Sequence, residues 1–122
     1  MSHDHSSLEE FRLYREKMNE KILGQGNLGI KRFFNLDTQA YHVGALSAKT
    51  KELLGLVASL VLRCDDCVTY HIIQCVSQKV TDEEFFEAFN VGLIVGGSIT
   101  IPHLRHAVDT LEECRGKAKT GS

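Results

Sequence analysis

Proline, tryptophan and long hydrophobic runs are scarce in this sequence. The 122 residues include no tryptophan and only one proline. Because proline breaks helices, this scarcity allows long helices to continue uninterrupted. The most apolar stretch, residues 53–62, is interrupted by Gly55 and Ser59 and is far shorter than the roughly 20 residues that cross a bilayer. A basic excess is also missing, because the net charge is −2 and no basic stripe is present. We therefore expect neither a membrane nor a nucleic acid as a partner.

The composition is that of one globular domain. Hydrophobic residues make up 43% and charged residues 25% of the chain, which is ordinary for a folded protein and rules out wholesale disorder. A chain of 122 residues is also short for two domains. We predict a single domain over residues 8–115, a flexible N-terminal tail over residues 1–7 and a polar C-terminal tail over residues 116–122.

The first residues and the cysteines bear on the compartment. Residues 1–7 are polar, and no apolar segment typical of an export signal follows them. We therefore expect a cytoplasmic protein. Thiols are normally reduced there, so a close pair among the 4 cysteines indicates catalysis, redox chemistry or metal binding rather than a structural disulfide.

Apolar residues recur at helical spacing along most of the chain, and the alternation typical of strands is absent. Ser47 is suited to cap a helix, Thr81 and Glu84 form a capping box, and Pro102 is suited to a first turn. The predicted helices cover residues 8–24, 27–46, 48–62, from within 64–67 to 79, 82–95 and 102–115. The sequence therefore predicts an all-α fold of about six helices.

The segment from Cys64 to His71 concentrates groups suited to thiol chemistry. Cys64 and Cys67 at a helix start lie within disulfide reach, near unpaired backbone N–H groups and the positive end of the helix dipole. Both effects favour the thiolate. His71 follows Cys67 by four residues, so it shares a helix face with that thiol and could take its proton. Asp65 and Asp66 act in the opposite direction, because carboxylates disfavour a neighbouring thiolate.

A metal site is the main alternative for this segment. Cys64, Cys67, His71 and Cys75 have the composition of a zinc site with three thiolates and one imidazole. On one unbroken helix, however, Cys64 and His71 are separated by about 10.5 Å along the axis, whereas zinc–ligand bonds measure about 2.0–2.3 Å. We therefore expect no metal and no cofactor. A zinc site built from Cys64, Cys67 and a distant ligand stays open, as do two core cysteines beside a buried histidine.

A wider motif surrounds the cysteine pair. Glu52 precedes Cys64 by twelve residues, Cys67 completes the pair, and His71 follows four residues later. Together with Gly96-Gly97, this combination resembles the carboxymuconolactone decarboxylase / alkyl hydroperoxidase D-like family over about residues 45–115. The resemblance implies an all-helical bundle that assembles into dimers, trimers or hexamers. It also implies peroxidase or disulfide-reductase chemistry.

The resemblance assigns roles to four residues. Cys67 would be the thiol that attacks a peroxide and becomes a sulfenic acid, and Cys64 would resolve it by forming a disulfide. His71 and Glu52 would form the proton relay that deprotonates Cys67. The implied partners are a peroxide or other small-molecule substrate, an external thiol reductant and further copies of the chain, in a trimer or hexamer.

Two departures from the family pattern bear on the activity. Peroxidase members of the family carry a histidine immediately before the second cysteine, where this chain has Asp66. An anion therefore replaces a base or cation beside the thiol. The decarboxylase members lack the cysteine pair, which makes decarboxylation in the same helical pocket the second hypothesis. A zinc-binding or interaction protein without enzymatic activity is the third.

The positions of Glu52, His71, His103 and His106 relative to one another depend on how the helices pack. If the third and fourth helices form a hairpin near Cys64, Glu52 lies about 18 Å along one arm and His71 about 10.5 Å along the other. The resulting offset of about 7 Å requires a steep crossing or an intervening water. His103 and His106 are expected to be exposed or capping residues, with a pocket near the thiols as the alternative.

Overall fold

The computed structural model describes residues 7–116, and these residues form six α-helices and no strand. The helices are α1 (Ser7–Gly24), α2 (Leu28–Ala40), α3 (Ala48–Leu62), α4 (Asp65–Ser77), α5 (Asp82–Gly96) and α6 (Ile101–Arg115), with a 3₁₀ turn at Ser98–Thr100. The predicted all-α class is thereby confirmed. Within this described range, no helix is long and apolar enough to cross a membrane. Apart from Ser7 and Gly116, the two predicted tails lie outside the described residues.

The chain divides into two compact units, one up to His42 and one from Val43 onward. The first unit contains α1 and α2, and neither helix has a buried residue. Asn27 caps α2 by accepting a hydrogen bond from the Ile30 backbone N–H at 2.9 Å. The single domain over residues 8–115 stays a prediction.

Helix α2 is shorter than its predicted span of residues 27–46. It ends at Ala40, where the backbone N–H groups of Tyr41 and His42 bond to carbonyls one turn back. Val43 and Leu46 extend the apolar pattern of the sequence, but both are exposed and lie in the irregular segment before α3. Hydrophobic periodicity therefore placed this helix end too late.

The second unit contains the buried core. Helix α3 packs against α4 and α5, and α4 packs against α6. The buried apolar residues are Leu56, Leu60, Val68, Ile72, Cys75, Val80, Phe85, Phe89, Ala107 and Leu111. Gly92 of α5 lies against Leu60, and a Cβ atom added there would approach the leucine side chain to 3.0 Å. The absence of a side chain at Gly92 thus permits the close contact between α3 and α5.

Local signals set the starts of α3, α5 and α6 as predicted. The Ser47 side chain accepts from the Thr50 backbone N–H at 3.0 Å, which satisfies a free donor at the start of α3. Thr81 and Glu84 form the reciprocal capping box of α5. Pro102 lies in the first turn of α6, where its missing N–H has no helical partner to lose. Each of these signals acts within a few residues, so the sequence alone was sufficient to predict it.

Candidate active site

Helices α3 and α4 are joined by a very tight reversal. Arg63 ends α3 in the left-handed conformation, with φ of 63°, and Cys64 is already the N-cap of α4. The Cys64 backbone N–H bonds to the Ser59 carbonyl at 3.1 Å, which satisfies one of the last carbonyls of α3. The two helices therefore run back along each other from the cysteine pair, which is the hairpin assumed in the estimate of the offset between Glu52 and His71.

The cysteine pair lies at the start of α4. The sulfur atoms of Cys64 and Cys67 are paired, and their Cα atoms are 5.3 Å apart, within the range that disulfides span. The Cys64 sulfur accepts a hydrogen bond from the Cys67 backbone N–H at 3.3 Å. Cys67 is exposed and Cys64 is half-buried, so Cys67 is the more accessible residue of the two. In the reduced protein, the N–H groups and the helix dipole at this end favour a thiolate.

Glu52 and His71 meet in the space between α3 and α4. The Glu52 Oε1 atom lies 2.9 Å from the His71 Nδ1 atom, and the two residues are only 7% and 9% exposed. The crossing of the helices closes the axial offset that the straight-hairpin estimate gave, and the contact is direct. With Nδ1 directed at the carboxylate, Nε2 is the ring nitrogen through which a proton could be exchanged with a thiol.

Cys75 lies on the same face of α4, one turn beyond His71. It is completely buried in the core, and this burial, reinforced by the charge of Glu52, raises the pKa of its thiol to about 12. Burial also raises the pKa of the Cys114 thiol. Neither residue is paired in a disulfide. The four cysteines thus divide into one accessible pair and two thiols whose surroundings favour the unreactive protonated form.

The structure does not bring a metal-ligand set together. Cys64, Cys67, His71 and Cys75 share a face of α4, but successive members are displaced along the helix axis. Among the described residues, no three His, Cys, Asp or Glu side chains are grouped in a way that could hold a metal ion. The observed contact of His71 is with a carboxylate instead.

Two histidines of α6, His103 and His106, are half-buried and contact α4, whereas the sequence favoured exposed or capping positions and gave a pocket near the thiols as the alternative. The His103 Nδ1 atom lies 2.8 Å from Asp65 Oδ1, and the His106 Nε2 atom lies 2.8 Å from Thr69 Oγ1. Asp65 and Thr69 are one turn apart on α4, and the histidines are three residues apart on α6. The matching spacings could have indicated two helix faces in contact. They could not have shown which faces pair, because that depends on the tertiary packing.

Comparison with known proteins gives a consistent family. The model of the carboxymuconolactone decarboxylase family matches residues 30–110. The chain also matches an uncharacterized protein of Cupriavidus necator at 33% identity over 54 residues, which are 44% of this chain and 48% of that protein. The chain therefore spans about half the length of this curated relative.

Solved structures resemble the chain over most of its length. One of them, from Thermotoga maritima, is 56% identical to this chain, with a TM-score of 0.85. It is described as a carboxymuconolactone decarboxylase family protein for which an antioxidative role has been suggested. That match covers 92% of this chain and 95% of the T. maritima chain. A Legionella pneumophila protein described with the same family name shares the fold, at 23% identity and a TM-score of 0.82, over 90% of this chain and 98% of its own.

Proposed function

The chain belongs to the carboxymuconolactone decarboxylase family, and we propose that it is a thiol-dependent peroxidase whose reactive pair is Cys64 and Cys67. One observation carries the proposal: an accessible cysteine pair begins α4, while a buried Glu52–His71 contact lies one turn further along the face that carries Cys67. The antioxidative role suggested for the T. maritima protein, which is 56% identical, supports the same chemistry.

The first step is attack of the Cys67 thiolate on a peroxide. The thiolate forms a bond to one peroxide oxygen, the O–O bond breaks, and the other oxygen leaves as an alkoxide or hydroxide that takes up a proton. Cys67 is thereby oxidised to a sulfenic acid and the peroxide is reduced to an alcohol or water. Cys67 is better placed than Cys64 for this role, because it is the more exposed residue and precedes His71 by four residues.

The second step closes the disulfide. Cys64, as the thiolate, attacks the Cys67 sulfur, and the hydroxyl group leaves as water after gaining a proton. An external dithiol then donates two electrons, returning both cysteines to thiols as it becomes a disulfide itself. A reducing compartment such as the cytoplasm would supply this reductant.

His71 and Glu52 transfer the proton of the Cys67 thiol in this proposal. In this proposal His71 Nε2 accepts the proton of the Cys67 thiol and returns it to the leaving oxygen, as a general base and then a general acid. Glu52, bonded to Nδ1, fixes the orientation of the ring and stabilises the imidazolium that forms during the transfer. Because the carboxylate is buried with its partner, it is held in position before the reaction begins.

A thiol titration tests the proposal. The reduced protein contains 4 cysteines, and one equivalent of peroxide should remove two titratable thiols, with mass mapping of a Cys64–Cys67 disulfide. Cys114→Ser is the matched control and should still lose two. Cys67→Ser should form no Cys64–Cys67 disulfide, and Cys64→Ser should accumulate a sulfenic acid that dimedone traps. Retention of both Cys64 and Cys67 thiols would refute the proposal, and lactone decarboxylation that survives Cys67→Ser would replace it.

We also propose that the chain functions as a homo-oligomer, a trimer or hexamer. Helices α3 and α5 of the second unit expose several large apolar side chains, notably Leu54 and Leu62, which are 55% and 76% exposed, and Ile94 and Val95. Single exposed apolar residues are common, but this number in one small unit favours burial against other copies. Sedimentation should show an assembly that Ile94→Lys weakens; a monomeric wild-type protein would contradict it.

A further inference from the structure

The contact between His103 and Asp65 joins α6 to the first turn of α4. The imidazole Nδ1 atom lies 2.8 Å from the carboxylate oxygen, and the side chains are 25% and 51% exposed. Asp65 directly follows Cys64 and precedes Cys67 by two residues. A residue 38 positions away in sequence is therefore in contact with the turn that carries the cysteine pair.

The charges in this turn oppose the chemistry proposed for it. Asp65 and Asp66 place two carboxylates between the cysteines, and negative charge disfavours a thiolate. Helix α4 contains no lysine or arginine that could compensate them. Arg63 lies just before the pair, and its side chain is exposed. Compensation of Asp65 has to come from another element, and His103 is the group in contact with it.

We propose that His103 is a positioning residue for the redox pair: as an imidazolium it compensates Asp65 and so sustains the thiolate of Cys67. The inference rests on the proposed function, because it presumes that the Cys67 thiolate is the reactive species. An imidazolium bonded to the carboxylate forms a pair with no net charge. The repulsion on the thiolate then falls to that of Asp66 alone, and the effect of the helix N-terminus is less opposed.

The other ionisable groups near His103 and Asp65 lie beside them in sequence or make contacts with other helices. Asp66 follows Asp65 on α4, and Arg105 and His106 follow His103 on α6. The Glu52–His71 contact is made toward α3, whereas the His103–Asp65 contact is made toward α6. At the other end of α6, Arg115 is bonded to Asp82 at the start of α5. His103 is thus the histidine whose positive charge, when it is protonated, lies in direct contact with the Asp65 carboxylate.

His106 provides a matched control within the same interface. Its Nε2 atom lies 2.8 Å from the Thr69 hydroxyl and 3.5 Å from that of Thr110, both uncharged groups. His106→Gln therefore alters a histidine contact between α4 and α6 without altering a charge pair. His103→Gln retains an amide that can bond to Asp65 but cannot carry a positive charge.

The experiment measures the rate at which iodoacetamide alkylates Cys67 in the reduced protein, followed on the Cys67 peptide by mass spectrometry. At pH 6 we expect His103→Gln to slow the reaction about threefold, because the uncompensated Asp65 carboxylate disfavours the Cys67 thiolate. Asp65→Asn should accelerate it by a similar factor. The double variant Asp65→Asn/His103→Gln carries neither charge and should react at about the wild-type rate, as should His106→Gln. The difference between His103→Gln and wild type should shrink when the pH is raised to 8.5, because a neutral imidazole compensates no charge.

Three results would overturn the inference. These are an unchanged rate in His103→Gln, an equal loss in His103→Gln and His106→Gln, and a double variant Asp65→Asn/His103→Gln that reacts as slowly as His103→Gln alone. Circular dichroism establishes that each variant is folded, and Asp65→Asn tests the charge argument without altering His103. Alkylation consumes no peroxide, so the result is distinguishable from a failure of the peroxidase proposal, which appears only in the thiol titration.

Discussion

Glu52→Gln isolates the charge of the buried Glu52–His71 contact. The glutamine side chain has nearly the same shape, and its amide oxygen can still accept the hydrogen bond from Nδ1. What disappears is the negative charge that stabilises the imidazolium when the thiol proton is transferred. Because the two partners are 2.9 Å apart and nearly excluded from solvent, little screening reduces the effect of that charge.

The size of the effect follows from the bond that is weakened. A hydrogen bond involving a charged group contributes about 1.5–3 kcal/mol, and a neutral one is roughly half as strong. Glu52→Gln should therefore remove about 0.8–1.5 kcal/mol of stabilisation from the transition state. At 1.36 kcal/mol for each factor of ten, the rate of Cys67 oxidation falls about 4- to 13-fold.

Stopped-flow oxidation of the reduced protein by excess hydroperoxide measures this rate. Glu84→Gln is the matched control, because it replaces another glutamate by glutamine at a capping box that tolerates both residues. It should react as wild type. If folded Glu52→Gln is oxidised at the wild-type rate, Glu52 takes no part in the proton transfer and the reasoning from this contact fails.

Three further outcomes follow from burial and capping. The Cys75 thiol, whose pKa is raised to about 12, should resist alkylation in the folded protein at pH 8 and react once urea unfolds the protein. Mass mapping of the alkylated cysteines measures this, and alkylation of Cys75 in the folded form would contradict its burial. Leu60→Ala should lower the free energy of unfolding by about 2–5 kcal/mol, since the side chain is completely buried; urea denaturation measures this, and a loss below about 1 kcal/mol would contradict the packing. Thr81→Ala should cost about 1 kcal/mol because the Glu84 backbone N–H loses its acceptor, and an unchanged thermal midpoint would contradict the cap.

The sequence predicted what is determined locally. Ser47 and Thr81 begin helices because each hydroxyl bonds to a backbone N–H three residues later, so the signal and its effect lie in the same short segment. The end of α2 was predicted too late because Val43 and Leu46 continue an apolar pattern, although neither side chain is buried. Periodicity reports apolar spacing, and it cannot distinguish a helix from an irregular segment whose apolar residues stay exposed.

The candidate site was predicted in part. Cys67 and His71 belong to one helix, so their common face followed from a spacing of four residues. The direct contact of Glu52 with His71 depends on how α3 crosses α4, which a straight-hairpin estimate does not contain. The contact of His103 with Asp65 depends on which face α6 presents to α4. Both contacts are tertiary: the pairing of Glu52 with His71 was expected only through the family resemblance, and that of His103 with Asp65 was not expected.

Because the reversal at Arg63 joins α3 to α4 with almost no loop, the segment between Glu52 and His71 has little room to absorb an inserted residue. Glu52 and His71 are 19 residues apart, and nearly all of the intervening residues are helical. One residue inserted into α3 after Glu52 would rotate the carboxylate by about 100° about the helix axis, away from the imidazole. An insertion of four residues would nearly restore the rotation but displace the carboxylate by about 6 Å. The number of residues between the two side chains therefore determines the site as much as their identity does. A change in length in the irregular segment before Ser47 would leave that number unaltered.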